Sequence, residues 1–154
     1  MLWQAPEVEV FALSQANGIS QIVWSPLAQG LLPGKYRAGL KPPADSRAAH
    51  GQMNTSMDLV MNDTTLAAVE RLRPIADQAG YSMAELALAW VLRRPELASA
   101  IVGASRPEQV HANGAASGVE LSPDVLSAID EARGDAPVRE PTPAPFAQSG
   151  VTHR

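Results

Sequence analysis

The sequence predicts an α/β fold in which helices separate and flank two parallel strands. Two short apolar runs are typical of strands, Ile19-Ser20-Gln21-Ile22-Val23-Trp24 and Ala98 to Val102. Each run leads into a loop and then into a segment whose apolar residues recur at helical spacing. Strands that alternate with helices pair in parallel through crossover connections. Because two strands alone make a poor sheet, we expect the chain to be part of a larger structure.

The first strand is expected to be largely buried, since β-branched apolar runs are typical of strands covered by helices. Five helical segments are expected, and capping residues or breakers mark most of their ends. Asn17-Gly18 and Gly80 are predicted to end the first two helices, and Ser82 with Glu85 forms a candidate capping box. The predicted helices cover residues 6–16, 63–79, Ser82 to a stop before Pro95, 106–117, and Ser122 through Ala132.

The composition fits one soluble domain. The chain has 154 residues, 45% of them hydrophobic, a formal charge of −4 and no cysteine. The acidic balance argues against binding of duplex nucleic acid, and the lack of cysteine excludes disulfides and thiolate metal sites. The N-terminus does not resemble a secretory signal, and no run approaches the ~18 apolar residues of a membrane span. We therefore expect a cytoplasmic protein without membrane insertion.

Two regions are rich in proline or glycine. Residues 25–60 show little periodicity and are predicted to form a long surface excursion, which in compact domains is usually functional or disordered. The segment from Asp135 onward is proline-rich. We predict one structural unit over residues 1–134 and a tail at 135–154.

The two strand ends carry the candidate site. In barrels and open parallel sheets, ligands bind at the carboxyl ends of the strands. This places Trp24-Ser25 and Gly103-Ala104-Ser105 on one functional rim. Taken by itself, Ser25-Pro26 is also compatible with a simple tight turn.

Two longer segments resemble one family. Residues 22–36, which contain Trp24-Ser25-Pro26-Leu27-Ala28-Gln29-Gly30, are similar to the seventh strand and following loop of aldo-keto reductases. Residues 100–110, together with Asn113, resemble the eighth strand and the helix that binds the adenosine phosphate. The similarity covers roughly residues 1–134 and is closest to bacterial members and to potassium-channel β subunits. It implies the C-terminal part of a TIM (β/α)8 barrel, incomplete as a barrel.

The resemblance implies an NADP(H) site on the first segment. Trp24 would stack its indole on the nicotinamide ring, and the alternative is an ordinary core tryptophan. The loop would cradle the pyrophosphate through a hydroxyl and closely approaching backbone, with added positive charge, although a lone cation in a loop is often only solvated. The residues implied for these contacts are Ser25, Leu27, Gly30, Lys35 and Arg47.

The second segment is implied to bind the adenosine end. Gly103, Ser105, Arg106 and Gln109 would lie at a helix start, where unpaired N–H groups favour a phosphate, and Arg106 indicates NADP rather than NAD. Ser105 with Glu108 is alternatively a capping box that needs no ligand. Asn113 is implied to contact adenine, although Ala112 stands where this branch commonly has Glu.

The resemblance implies a catalytic tetrad of Asp, Tyr, Lys and His that lies upstream of these segments in the family. We therefore assign no catalytic residue, and Tyr36 and Tyr81 fall in other motifs. The histidines His50, His111 and His153 lack metal-ligand spacing, so no metal site is predicted. We expect the chain alone to be inactive, with a truncated gene or misplaced start codon as the simplest explanation. Activity would require the missing N-terminal barrel half or a partner chain.

Three functions are compared. The favoured one is the distal cofactor cleft of an NADP(H)-dependent reductase that, in its full-length form, acts on a small aldehyde or ketone. The second is a nucleotide-sensing or regulatory module that binds without turnover. The third, a helix-turn-helix at residues 75–92, fits poorly because its second helix offers no side chain suited to base edges.

Overall fold

The computed structural model describes residues 1–49 and 60–139. Across these two ranges the protein is α/β, and its two-stranded sheet does not close, which is consistent with part of a (β/α)8 barrel. The elements are α1 (Val10–Ala16), β1 (Gln21–Trp24), α2 (Asp63–Ala79), α3 (Met83–Leu92), β2 (Leu97–Ile101), α4 (Pro107–Ala115) and α5 (Pro123–Arg133). Short 3-10 helices lie at Ala5–Glu7, Ala28–Gly30 and Arg47–Ala49. None of the helices described is long and apolar enough to cross a membrane.

The two strands pair in parallel, as predicted. Val23 lies opposite Ala100 and Trp24 opposite Ile101, with an irregular register near Gln21. Because β1 and β2 end at the same level, the loops that follow them leave the sheet side by side. The sheet therefore supplies the common rim that the sequence predicted.

One face of the sheet is covered and the other is exposed. Val23 and Ala100 pack against the hydrophobic core. Ile22, Trp24 and Ile101 are 61%, 53% and 62% exposed. The prediction of a largely buried first strand is therefore wrong for half of its residues. Successive strand side chains point to opposite faces, and in the described ranges the helices cover only the face of Val23.

The core is formed by α2, α3, α5 and the loop after β1. Leu72 of α2, Leu86 of α3 and Ile129 of α5 are fully buried. Leu31 and Leu32, from the loop after β1, are 0% and 1% exposed and belong to the same cluster. The loop is thus anchored in the core. The helix-turn-helix alternative would place α3 in a DNA groove, and the burial of α3 argues against it.

Helix ends follow the capping signals in the sequence. Gly80 ends α2 in the left-handed conformation, and Ser82 and Glu85 form the predicted capping box before α3. Hydrogen bonds from Ser82 lower the pKa of Glu85. Ser122 caps α5 by accepting the N–H of Val125 at 3.3 Å. The cap of α2, Asn62, accepts the N–H of Thr65 at 2.9 Å and was not predicted.

Arg133 at the end of α5 ties the N-terminal segment to the core. Its buried guanidinium donates to the carbonyl of Met1 at 2.9 Å, contacts Asp130, and lies 4.5 Å from the ring centre of Trp90. Nearby, Val138 donates to the carbonyl of Leu2 at 2.8 Å. The first residues of the predicted tail thus pair with the N-terminal segment, and residues 140–154 lie outside the described part of the chain.

Candidate functional site

The loop after β1 has an unusual backbone. Ser25, Ala28 and Gln29 have φ values of 53°, 46° and 58°. Each non-glycine residue in this left-handed region destabilises the folded protein by about 1–2 kcal/mol. Such conformations concentrate at functional sites, where the surrounding structure maintains them. The strain therefore supports the assignment of this loop to a binding site.

Gly30 allows the same loop to fold tightly. Its φ is 99°, and a methyl group added there would lie 3.2 Å from Lys35 Cδ and 3.6 Å from the Tyr36 hydroxyl oxygen. The buried Tyr36 donates its hydroxyl hydrogen to the carbonyl of Gln29 at 3.2 Å. Tyr36 thus serves the loop scaffold, and Lys35 lies across Gly30 with its side chain exposed to solvent.

Arg47 lies close to both loops. Its Nη1 donates to Gln29 Oε1 at 3.2 Å, and its Nη2 would lie 3.8 Å from a methyl group added at Gly103. The preceding residue, Ser46, is buried and donates its hydroxyl hydrogen to the carbonyl of Pro43 at 2.6 Å, which closes the turn before Arg47. The structure thus brings Arg47 and Gly103 together, and it adds Gln29, a residue that was not among the predicted site residues.

The start of α4 differs from the capping box that the sequence offered as an alternative. Arg106 occupies the N-cap position without a side-chain hydrogen bond. Ser105 lies one residue earlier, and both its N–H and its hydroxyl donate to Gln109 Oε1, at 2.7 and 3.1 Å. The Ser105–Glu108 capping box is therefore not formed. Proline is preferred at the first helical position, so Pro107 sets the helix start one residue too late for Ser105 to cap it.

A shallow depression of about 460 Å³ lies at this helix start. It is lined by Ser105, Arg106 and His111, together with apolar neighbours. Gln109 is hydrogen-bonded to Ser105. Three residues predicted to contact the phosphate, Ser105, Arg106 and Gln109, therefore lie together. His111 is exposed, as expected for a solvated helix face, while His50 and His153 fall outside the described residues.

Asn113 lies on a separate cavity. This second space, of about 220 Å³, is lined by Asn113 with Ser117 of the following turn, Leu88 and Leu92 of α3, and residues of β2. Asn113 is therefore not grouped with Arg106, although the sequence assigned both to the adenosine end. Among the described residues, no cluster of His, Asp and Glu could hold a metal ion.

Trp24 lies at the exposed end of β1. The residue is 53% exposed and shares the uncovered sheet face with Ile22 and Ile101. The half-buried Ser25 follows it, and Leu27, also half-buried, packs against the core. The structure therefore places an accessible tryptophan directly before the strained loop.

Comparison with known proteins identifies the family. A model of the Aldo/keto reductase family matches residues 1–133. The chain is 38% identical over 135 residues to a probable voltage-gated potassium channel subunit beta of Arabidopsis thaliana, covering 86% of this chain and 41% of that protein. It is 39% identical over 121 residues to L-glyceraldehyde 3-phosphate reductase of Escherichia coli K12, covering 76% of this chain and 34% of that protein.

A putative voltage-gated potassium channel subunit beta of Schizosaccharomyces pombe is 35% identical over 129 residues, which cover 81% of this chain and 37% of that protein. The chain thus spans between 34% and 41% of the length of these curated relatives. These matches agree with the observed α/β architecture. The chain therefore belongs to the aldo/keto reductase family.

Proposed function

We propose that this chain forms the distal NADP(H)-binding cleft of an aldo/keto reductase that transfers hydride between nicotinamide and a small aldehyde or ketone. The observation that carries the proposal is the position of Arg47, which contacts Gln29 and lies against Gly103. A guanidinium between two strand-end loops suits the anionic centre of a dinucleotide.

Trp24 is proposed to stack on the nicotinamide. Its exposed ring offers a flat apolar face at the strand end, where ligands of parallel α/β folds bind. Stacking fixes which face of the nicotinamide is presented to a substrate. The family's tetrad of Asp, Tyr, Lys and His, which would supply the proton transfer, is not assigned to residues of this chain.

The pyrophosphate is proposed to lie over the loop after β1. Several loop amides already bond to loop carbonyls, including Ala28 N–H to Ser25 at 2.9 Å and Gly30 N–H to Leu27 at 3.1 Å. We therefore expect binding to depend mainly on the Ser25 hydroxyl and on the charges of Lys35 and Arg47. Ser25, Leu27 and Gly30 would give the loop the shape that lets phosphate oxygens approach.

The 2′-phosphate of NADP is proposed to bind at the depression beside α4. The Gln109 amide oxygen accepts both hydrogen bonds from Ser105 and carries no charge. The positive charge that would attract a phosphate therefore comes from Arg106. The helix start adds a favourable dipole. The assignment of Asn113 to adenine stays a prediction that rests on the family resemblance.

The uncovered sheet face indicates where further structural elements would pack. Ile22, Trp24 and Ile101 form an exposed apolar face, which soluble proteins normally cover. We propose that further barrel strands, from a longer chain or from a partner chain, cover the part of this face around Ile22 and bring the catalytic groups, while Trp24 at the strand end stays accessible to the nicotinamide. The 154-residue chain alone should then bind NADPH without reducing an aldehyde, and NADPH-dependent turnover by the chain alone would contradict this part.

A titration of the chain with NADPH tests the binding proposal. We expect saturable quenching of tryptophan fluorescence that is lost in Trp24→Phe and retained in Trp3→Phe, because Trp24 is the reporter at the site. Arg106→Ala should weaken NADPH binding about tenfold and leave NADH binding unchanged, since only NADPH carries the 2′-phosphate. A folded chain that shows no saturable quenching would contradict the proposal.

A second candidate function is nucleotide sensing without turnover. It is favoured by the similarity to proteins named as potassium channel β subunits. Binding of NADPH by the protein completed with its remaining barrel, without reduction of any aldehyde or ketone tested, would favour it over the reductase.

A further inference from the structure

Gln29 combines three contacts in the loop after β1. Its backbone is left-handed, with φ 58° and ψ 27°. Its carbonyl accepts the Tyr36 hydroxyl at 3.2 Å, and its side-chain Oε1 accepts Arg47 Nη1 at 3.2 Å. One residue thus joins a buried tyrosine to the guanidinium at the candidate site.

The side chain of Gln29 reaches the exposed Arg47. Tyr36 is 2% exposed, so its hydroxyl group needs a partner within the loop, and the Gln29 carbonyl provides it. The hydrogen bond from Tyr36 holds the Gln29 carbonyl, while the side-chain amide of Gln29 extends to Arg47. The buried hydrogen bond to Tyr36 therefore fixes the backbone from which the exposed hydrogen bond to Arg47 is made.

Arg47 needs such a partner in order to stay in place. It lies on an exposed 3-10 turn, and a long arginine side chain there has many rotamers. The Gln29 amide oxygen is neutral, so it orients the guanidinium and leaves its positive charge uncompensated. A carboxylate at this position would orient the group but oppose an anionic ligand.

We propose that Gln29 is a positioning residue that holds the Arg47 guanidinium between the two strand-end loops and thereby raises the affinity for NADPH. This inference rests on the proposed cofactor site. It assigns to Gln29 an effect that acts through Arg47.

Two substitutions distinguish the effect of the Gln29 side chain from the effect of its backbone. Gln29→Gly adopts the left-handed conformation without strain and keeps the carbonyl for Tyr36, but it lacks the amide. Gln29→Met has a similar length and no amide oxygen. If Gln29 acts by holding Arg47, both variants should bind NADPH about three- to tenfold more weakly than the original chain. If only the backbone turn matters, Gln29→Gly should bind as tightly as the original chain.

The double substitution is the decisive measurement, made with the full 154-residue chain. Arg47→Ala should weaken NADPH binding, and addition of Gln29→Met should have no further effect, because coupled residues are non-additive. Thermal unfolding of each variant checks that it folds. Additive losses, or Gln29→Gly binding equal to the original, would overturn the role of Gln29 while the cofactor site stands. No NADPH binding by the original folded chain would overturn both proposals.

Discussion

The loop after β1 and the helix start after β2 meet at one end of the sheet, but they are held in place differently. The first loop sends Leu31, Leu32 and Tyr36 into the core and has three left-handed non-glycine residues. The second begins α4, in which no residue is fully buried, and its side-chain hydrogen bonds join Ser105 to Gln109. The loop proposed to bind the nicotinamide and pyrophosphate is thus preorganised by the core, whereas the helix start proposed to bind the 2′-phosphate depends on local surface contacts.

Removing the anchor of the first loop should have the largest effect. Leu31→Ala deletes a fully buried side chain and should lower the free energy of unfolding by about 2–5 kcal/mol. Val110→Ala in α4 removes an exposed side chain and should change it by less than about 0.5 kcal/mol. Urea unfolding followed by circular dichroism measures both. Leu40→Ala, at an exposed position of the first loop, is the matched control, and equal losses at Leu31 and Leu40 would refute the anchoring.

A glycine substitution in each loop sharpens the same comparison. Gly30 has a positive φ and a close neighbour in Lys35, so Gly30→Ala should destabilise the protein by about 1–2 kcal/mol. Gly103 has no positive φ, and an added methyl group meets Arg47 at an ordinary 3.8 Å. Gly103→Ala should therefore leave the thermal midpoint unchanged or slightly raise it. A larger loss at Gly103 than at Gly30 would reverse the contrast between the loops.

The regular elements could be predicted because their signals are local. Apolar spacing predicted α2 with the observed bounds, and Gly80 and Ser82 predicted the turn that follows it. The exposure of Ile22 and Trp24 could not be predicted, since a β-branched run does not reveal which layers cover it. Parallel topology predicted that the two strand ends lie side by side, and it predicted nothing more about them.

The site was predicted less completely than the fold. Gln29 was missed because a left-handed glutamine has no sequence signature, although its place beside Gly30 in a loop gave a partial hint. The Ser105–Glu108 pattern was misleading, because it matches Ser82–Glu85 in spacing while Pro107 moves the helix start. A proline two residues after a candidate cap was the signal that could have excluded the capping box.

The contact that replaces this box can be tested at the α4 helix start. Gln109→Ala removes the acceptor of both Ser105 hydrogen bonds and should lower the free energy of unfolding by about 0.5–1 kcal/mol. Glu108→Ala is the matched control and should have almost no effect, since Glu108 does not act in a cap. Chemical denaturation measures both. A larger loss for Glu108→Ala would restore the alternative of a Ser105–Glu108 capping box.

The pH dependence of the capping box at α3 should give the smallest effect. Ser82 hydrogen bonds lower the pKa of Glu85 in the folded protein. A lowered carboxyl pKa stabilises the folded state above the unfolded pKa, and this contribution is lost as the pH falls through the folded value. Glu85→Ala should therefore reduce stability by about 0.5 kcal/mol at pH 7, and the difference should shrink as the pH falls below about 4.5.

Glu108→Ala provides the contrast at α4, measured by urea unfolding at pH 7 and at pH 3. Glu108 has the same spacing from a serine as Glu85, but the helix start at Pro107 leaves it without the reciprocal hydrogen bond. Its substitution should therefore cost less stability at pH 7 than Glu85→Ala. A loss at Glu85 that persists unchanged at pH 3 would mean that the carboxylate charge does not stabilise α3, and the distinction between the two helix starts would then rest on Ser82 alone.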